Sequence, residues 1–346
     1  MKKILSILLA AVMVFSLSAC AGGNGTSSAS SSEPESSSAV SSEEPESSQA
    51  PMEDVSVYTL QGPTGMGMVQ LMENAADGTA QNNYTFTLCG APTDIVAAIA
   101  NGDADIAAAP VNVASTLYNK TSGNVQVLGV NTLGVLYILS KEKLNSLEDL
   151  KGKTIYSAGQ GATPEYILNK VLSENGIDPD SDVDIQYLSE HSEVVAQAAA
   201  GKADIVVLPE PNVTALLSKD LGFSIAFDMT EEWGKVCDAD LAMGCVIARK
   251  DFVEEHPEAV AAFMQEYAQS VDFVNEDEAA PEAIAEQGIV PSAEIAKAAI
   301  PNCNIVLITG DEMKAIMQEN LQVLFDANPA SVGGALPSED FYYEGN

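Results

Sequence analysis

The sequence predicts an α/β fold of two related lobes, each a mainly parallel sheet flanked by helices. Short apolar runs of strand length alternate with helical patterns through most of the chain, and such alternation points to buried parallel strands. Residues Asp94–Lys120 also align without gaps on Glu193–Lys219, at an offset of 99. Each copy reads as helix, G-x-A-D-I turn into a strand, Pro, helix, and the glycine suits a helix C-cap. Two such units in one chain imply a cleft between them, where small ligands commonly bind.

The first twenty residues read as an export signal. Lys2 and Lys3 supply positive charge, and Ile4 to Leu17 is apolar but too short to span a membrane comfortably. The run ends in Leu17-Ser18-Ala19-Cys20, the lipobox pattern in which the cysteine becomes diacylated and N-terminal after cleavage. Two acyl chains hold a protein firmly, at about 0.8 kcal/mol per buried methylene. Residues 21–52 are rich in Ser, Glu, Gly, Ala and Pro, with no Lys or Arg. Such a segment buries too little apolar surface to offset its ordering entropy, and reads as a disordered tether.

The body follows in order. Strands are expected at Val55–Leu60, Tyr84–Cys89, Asp105–Ala109, Val125–Val130, Thr154–Ser157, Asp184–Leu188 and Ile205–Leu208. Helices are expected at Gly65–Ala76 and Thr163–Asn175, and from Asp251 to Asp326 the pattern is predominantly helical. The formal net charge of −35 argues against nucleic acid and against adhesion to anionic lipid. Between Asp251 and Glu286 lie eleven Asp or Glu and no Lys or Arg, the mark of a solvated helical face. Cys89, Cys237, Cys245 and Cys303 form no C-x-x-C and have no histidine at ligand spacing, so no zinc site is expected and buried free thiols are. Cys237 and Cys245 are the one pair close enough in sequence to be tested for a disulfide. His191 and His256 read as surface or capping residues, and Trp233 as either a stacking or a packing residue.

Three stretches carry a resemblance to a known family: G-D-A-D-I-A-A-A-P at Gly102–Pro110, S-L-E-D-L-K-G-K-T-I at Ser146–Ile155 and G-K-A-D-I-V-V-L-P-E-P at Gly201–Pro211. With R-K-D-F-V-E-E-H-P-E-A-V at Arg249–Val260, and behind a lipobox, the chain resembles ABC-importer solute-binding proteins of the type II periplasmic-binding fold. It looks closest to the branch that binds taurine, alkanesulfonates, nitrate or thiamine-pyrimidine precursors. The resemblance implies a first lobe of residues 53–139 plus 241–346, an inserted second lobe of 142–237, and two extended crossings as the hinge. The crossing candidates are Gly134–Ser140 and Leu241–Ala248. It further implies a lipid-anchored monomer at the outer face of the cell membrane that delivers a small molecule to an ABC permease and its ATPase. No cofactor, metal or catalytic residue is implied.

Ligands of open α/β sheets sit beyond the carboxyl ends of strands, where helix N-termini offer free N–H groups. Four loops fit. They contribute Gln61, Thr64, Gly65 and Met66; Pro110 and Asn112; Gly159, Gln160, Gly161 and Thr163; and Glu210. Glu210, between two prolines, could accept from a ligand amine, amide or hydroxyl, or cap the following helix. The only arginine is Arg249, so a guanidinium clamp on an anion is not expected. Two other classes compete with a binding module: a surface sensor or antigen lacking a permease, and an enzyme resembling the yeast pyrimidine synthases. The cysteine-rich run and sacrificial histidine of the latter are missing.

Overall fold

The computed structural model describes residues 52–345, which belong to one compact unit. The export signal, Cys20 and all of the tether but Met52 lie outside the described residues. The chain begins with β1 (Asp54–Leu60), α1 (Pro63–Met66), α2 (Val69–Asp77), β2 (Asn83–Cys89), α3 (Pro92–Asn101), β3 (Ile106–Pro110), α4 (Val111–Lys120) and β4 (Val125–Leu133). It then crosses to a second sheet through β5 (Leu136–Ser140), β6 (Thr154–Ala158), α5 (Thr163–Glu174), β7 (Asp184–Leu188), α6 (His191–Ala199), β8 (Ile205–Pro209), α7 (Asn212–Leu217), β9 (Ser224–Asp228) and α8 (Met229–Trp233). The return passes through β10 (Ala242–Arg249), α9 (Lys250–Glu255), α10 (Pro257–Glu276), α11 (Ala280–Glu286), α12 (Ala293–Ala299), β11 (Ile305–Ile308) and α13 (Gly310–Ala327).

The six-stranded sheet has the order β11-β4-β10-β3-β1-β2 and the five-stranded sheet β7-β6-β8-β5-β9. Both are mixed. Parallel pairing is confined to β1 with β2 and β3, and to β6 with β7 and β8. The strands on either side of the crossings, β5 and β10, pair antiparallel, because each enters its sheet from the other lobe. The central strands are buried on both faces, which explains their continuous apolar runs. In β3, Ile106 and Ala108 join one core while Ala107 and Ala109 join the other. In β8, Ile205 and Val207 alternate in the same way with Val206 and Leu208.

The repeat is realised as α3–β3–α4 and α6–β8–α7. Gly102 and Gly201 take left-handed φ values of 79° and 71° at the matching turns. The matching aspartates do matching work. Asp105 Oδ2 accepts from Ser56 N at 2.8 Å and pairs with Arg249 at 3.2 Å. Asp204 pairs with Lys141 at 2.9 Å.

Four expectations need correction. The helix expected over 65–76 is two helices, α1 ending at Met66 and α2 beginning at Val69; between them Gly67 packs so closely on Tyr267 that a Cβ there would stand 2.9 Å from its hydroxyl. The helical C-terminal stretch is interrupted by β11, an apolar four-residue run that pairs antiparallel with β4. Such a short run has no periodicity that separates strand from helix. β9, among the weakest apolar runs, was not expected at all. Finally, β5 pairs with β8 and β9, so residues 136–139 belong to the second sheet, although the expected first lobe extends to 139.

The first crossing is therefore short, Gly134–Val135, and it packs against the second. A Cβ on Gly134 would lie 2.0 Å from Thr230 Oγ1 of α8 and 3.1 Å from Leu241 Cδ2, just before β10. Trp233, at the end of α8, is buried and donates its indole N–H to Ala239 O at 2.9 Å, so its role is packing. The four cysteines among the described residues are free, and Cys89, Cys245 and Cys303 are buried. Gly134→Ala is expected to destabilise the chain by about 1–3 kcal/mol through overpacking, read by urea denaturation. Thr230→Ala in the same chain removes the nearer clashing atom and should recover part of the loss.

Candidate functional site

Strand direction decides where a site can form. In the first sheet β1, β3 and β4 all end at one edge, where β10 and β11 begin: Pro110 pairs with Gly244 and Thr132 with Ile305. In the second sheet β6, β7 and β8 end together, and β5 begins beside Pro209. These two edges meet. Asn302, ahead of β11, donates to Glu210 Oε1 at 3.4 Å, and Tyr137 Oη of β5 donates to Asn302 O at 3.0 Å. A Cβ on Gly62 would come within 3.7 Å of Pro211 Cδ across the same gap, and α12 touches α7.

The loop after β1 is held firmly. Gly62 N donates to Ile289 O at 3.1 Å, and Gln61 N to Cys89 O at 3.3 Å. Asn131 of β4 reaches in from below, its Nδ2 donating to Thr64 O and to Tyr267 Oη, each at 3.1 Å. Gly65 must be glycine, since a Cβ would stand 2.1 Å from Leu60 O. Gln61 is exposed and Thr64 half-buried, both at the edge. Met66 is a correction. It is wholly buried in the core between the first sheet and α10, so it shapes the loop from behind instead of lining a cleft.

Pro110 closes β3 at the edge, half-exposed. Asn112 is a second correction: its Nδ2 donates to Ser331 O at 3.4 Å, which turns the amide toward the C-terminal segment. In the second lobe Gly159 and Gly161 have φ values of 82° and 75°, and Glu165 accepts from Gly161 N. Gln160 and Gly161 are exposed. Thr163 opens α5, only 6 % exposed, and its Oγ1 has no hydrogen-bond partner. A buried hydroxyl without a partner loses about 1–3 kcal/mol of hydration. On the opposite wall Thr59 Oγ1, under the first loop beside Gly65, is likewise buried and unpaired.

Glu210 is 2 % exposed and already occupied. Its carboxylate accepts from Thr214 N and Thr214 Oγ1, each at 3.1 Å, besides Asn302. The capping role is thus realised at the start of α7. Burial pushes its pKa above the ordinary carboxylate range, against the pull of those three donors. Arg249 is engaged at the other end of the strands. It bonds Asp105, Asp251 and Gly102 O, where β3 starts, far from Pro110 where β3 ends.

Sequence reasoning missed five residues at this edge: Thr59, Asn131, Tyr137, His191 and Asn302. Asn131-Thr132 carried a signal, a polar pair closing an otherwise apolar strand. His191 is half-buried. It opens α6 at the same edge as Thr163, its Nδ1 is buried without a partner, and burial lowers its pKa. His256 occupies the N-cap position of α10 without a side-chain capping bond, and its ring stacks on Phe252.

Comparison with known proteins follows this geometry. The family model described as NMT1/THI5 like matches residues 85–280. The putative binding protein YtlA of Bacillus subtilis is 28 % identical over 102 residues, which are 29 % of this chain and 30 % of that protein. The match therefore spans under a third of that relative's length. The crystal structure of an ABC transporter from Parabacteroides distasonis superimposes with a TM-score of 0.72 at 23 % identity, over 84 % of this chain and 98 % of that one. The periplasmic aliphatic sulphonate binding protein SsuA from Escherichia coli gives a TM-score of 0.68 at 13 % identity, over 85 % and 92 %. At these identities the structural likeness establishes the fold, the two-lobe type II periplasmic-binding architecture.

The unpaired hydroxyl of Thr163 yields a direct expectation. Thr163→Val, which keeps the shape and removes the orphaned group, should leave ligand-free stability unchanged or raise it by up to about 1 kcal/mol. A loss above about 1 kcal/mol in urea denaturation would mean that the hydroxyl is paired.

Proposed function

The chain belongs to the NMT1/THI5-like family, and from that membership and its interlobe edge we propose that it is an extracytoplasmic solute-binding lipoprotein. It closes two lobes on a small organic molecule and delivers it to the permease and ATPase of an ABC importer. One observation carries the reading: strand ends and helix N-termini of both sheets converge on one edge, with buried, unpartnered threonine hydroxyls on each side. Unsatisfied groups of that kind are what a bound solute would pair with.

Residues 1–20 then serve as the lipoprotein signal, Cys20 as the acylated anchor and 21–52 as the tether of a monomer on the outer face of the membrane. The lobes are residues 53–133 plus 241–346 and 136–237, with the boundary drawn at Gly134–Val135 on sheet membership. Gln61, Thr64, Pro110, Gly159, Gln160, Gly161 and Thr163 face the solute, while Gly65, Met66, Asn112 and Glu210 support the loops from behind. The Escherichia coli relative is a sulphonate-binding protein and the Synechocystis relative a nitrate-binding protein. Among the described residues no Lys or Arg pairs with the Glu210 carboxylate at the edge, and Arg249 is engaged elsewhere. Hydroxyls and backbone N–H groups are left to recognise the solute, which favours a polar organic molecule over a fully charged anion. The fold neighbours include binding proteins of ABC importers, and we assign no catalytic role.

The body, residues 52–346, contains every packed cluster described above, and a thermal-shift screen of it tests the reading. Sulfonates, pyrimidines, flavins, amino acids and aromatic acids are the set to try. A ligand at a hundred times its Kd should add about 2.7 kcal/mol of stability, and Thr163→Val should weaken it. If no compound shifts the melting, a sensor without a permease becomes the better reading. Separately, metabolic labelling with a clickable fatty acid should mark the full chain and vanish in Cys20→Ser; label retained there would dispose of the anchor.

A further inference from the structure

Where the lobes meet, the carbonyl and the side-chain amide of Asn302 both bond to the lobe opposite its own. It ends the 3₁₀ turn Ile300–Asn302, fixed to the first lobe by the wholly buried Cys303 beside it and by β11. Its carbonyl accepts from Tyr137 Oη at 3.0 Å, and its Nδ2 donates to Glu210 Oε1 at 3.4 Å, both groups of the second lobe. The receiving side is equally fixed. Glu210 N donates to Val135 O at 2.9 Å, its carboxylate caps α7 through Thr214, and Tyr137 is buried in β5. Among the described residues no Lys, Arg or His pairs with Glu210. The groups that face it are the hydroxyl and N–H of Thr214, the amide of Asn302, the Cys303 thiol and the Tyr137 phenol.

A buried carboxylate without a cation depends on its hydrogen-bond donors, and one of its three comes from the other lobe. Opening the lobes takes that donor away and replaces it with water. We propose that Tyr137, Asn302 and Glu210 form an interlobe latch, which holds the chain closed without solute and sets how much of it is open to receive one. This rests on the reading of the protein as a two-lobe solute receptor. A receptor that is mostly closed when empty binds with an affinity reduced by the fraction open. Loss of the latch therefore exposes the cleft more often, and the same loss removes part of what holds a captured solute.

The decisive variant is Asn302→Asp, with the ligand-free body studied by small-angle X-ray scattering at pH 7.5 and pH 5. It sets a second carboxylate against Glu210, and two carboxylates sharing a site cannot both ionise cheaply. Expected at pH 7.5 is a larger radius of gyration than wild type. At pH 5, where the pair shares a proton, the radius should return to the wild-type value while wild type itself stays constant. Tyr137→Phe, which keeps the buried ring and removes one bond, guards against misfolding; with Asn302→Ala it should raise the open-to-closed ratio about tenfold, read as a broader interlobe distance distribution between spin labels. Scattering of Asn302→Asp that matches wild type at both pH values, or stays expanded at both, overturns the latch. These measurements need no ligand, so their failure is distinct from an empty ligand screen.

Discussion

The close approach of the two crossings governs the architecture. Gly134 and Val135 carry the chain out of the first sheet, and they pass directly against Thr230 and Leu241, which begin and end its way back. Asn304 braces the first crossing, its carbonyl accepting from Leu133 N at 3.1 Å and its Nδ2 donating to Gly134 O. Because the crossings are short and adjacent, the edge where β3 ends must face the edge where β8 ends. Every loop at the candidate site inherits its position from that arrangement. A longer connection would let the sheets drift apart and would leave no fixed cleft for the loops to line.

The same constraint explains why the sheets are mixed. A chain that leaves one lobe and returns must run β5 and β10 against their neighbours, and the parallel βα units remain on the flanks. The duplicated unit is thus used twice in equivalent roles. Asp105 and Asp204 pin the start of a strand to its neighbour, and Pro110 and Pro209 end it at the cleft edge. Ion pairs sit at one set of strand ends, while at the other the Glu210 carboxylate is held by uncharged donors alone.

Much of this was legible in the sequence. The repeat named both βα units, and the apolar runs located seven strands to within a residue or a few. What the sequence could not show were decisions made by distant partners. Gly67 must leave room for Tyr267, two hundred positions along, and β11 is a strand only because β4 offers it an edge. The site was half legible. Loops after strands could be listed, but whether a side chain turned outward could not. Met66 and Asn112 have the right positions and turn elsewhere, while Asn131, His191 and Asn302 arrive from segments that carried no loop signature.

Arg249 has a consequence of a different order. Its guanidinium lies at the far end of β3, and the chain carries a formal charge of −35. A solute approaching the cleft therefore meets a long-range field dominated by negative charge. For an anion that field slows encounter, and raising the ionic strength speeds capture by shortening the reach of the repulsion, whose screening length is about 8 Å at physiological salt. A neutral solute arrives at the same rate at any salt. The placement of one side chain thus makes the kinetics of arrival a reporter of what the cleft was shaped to receive.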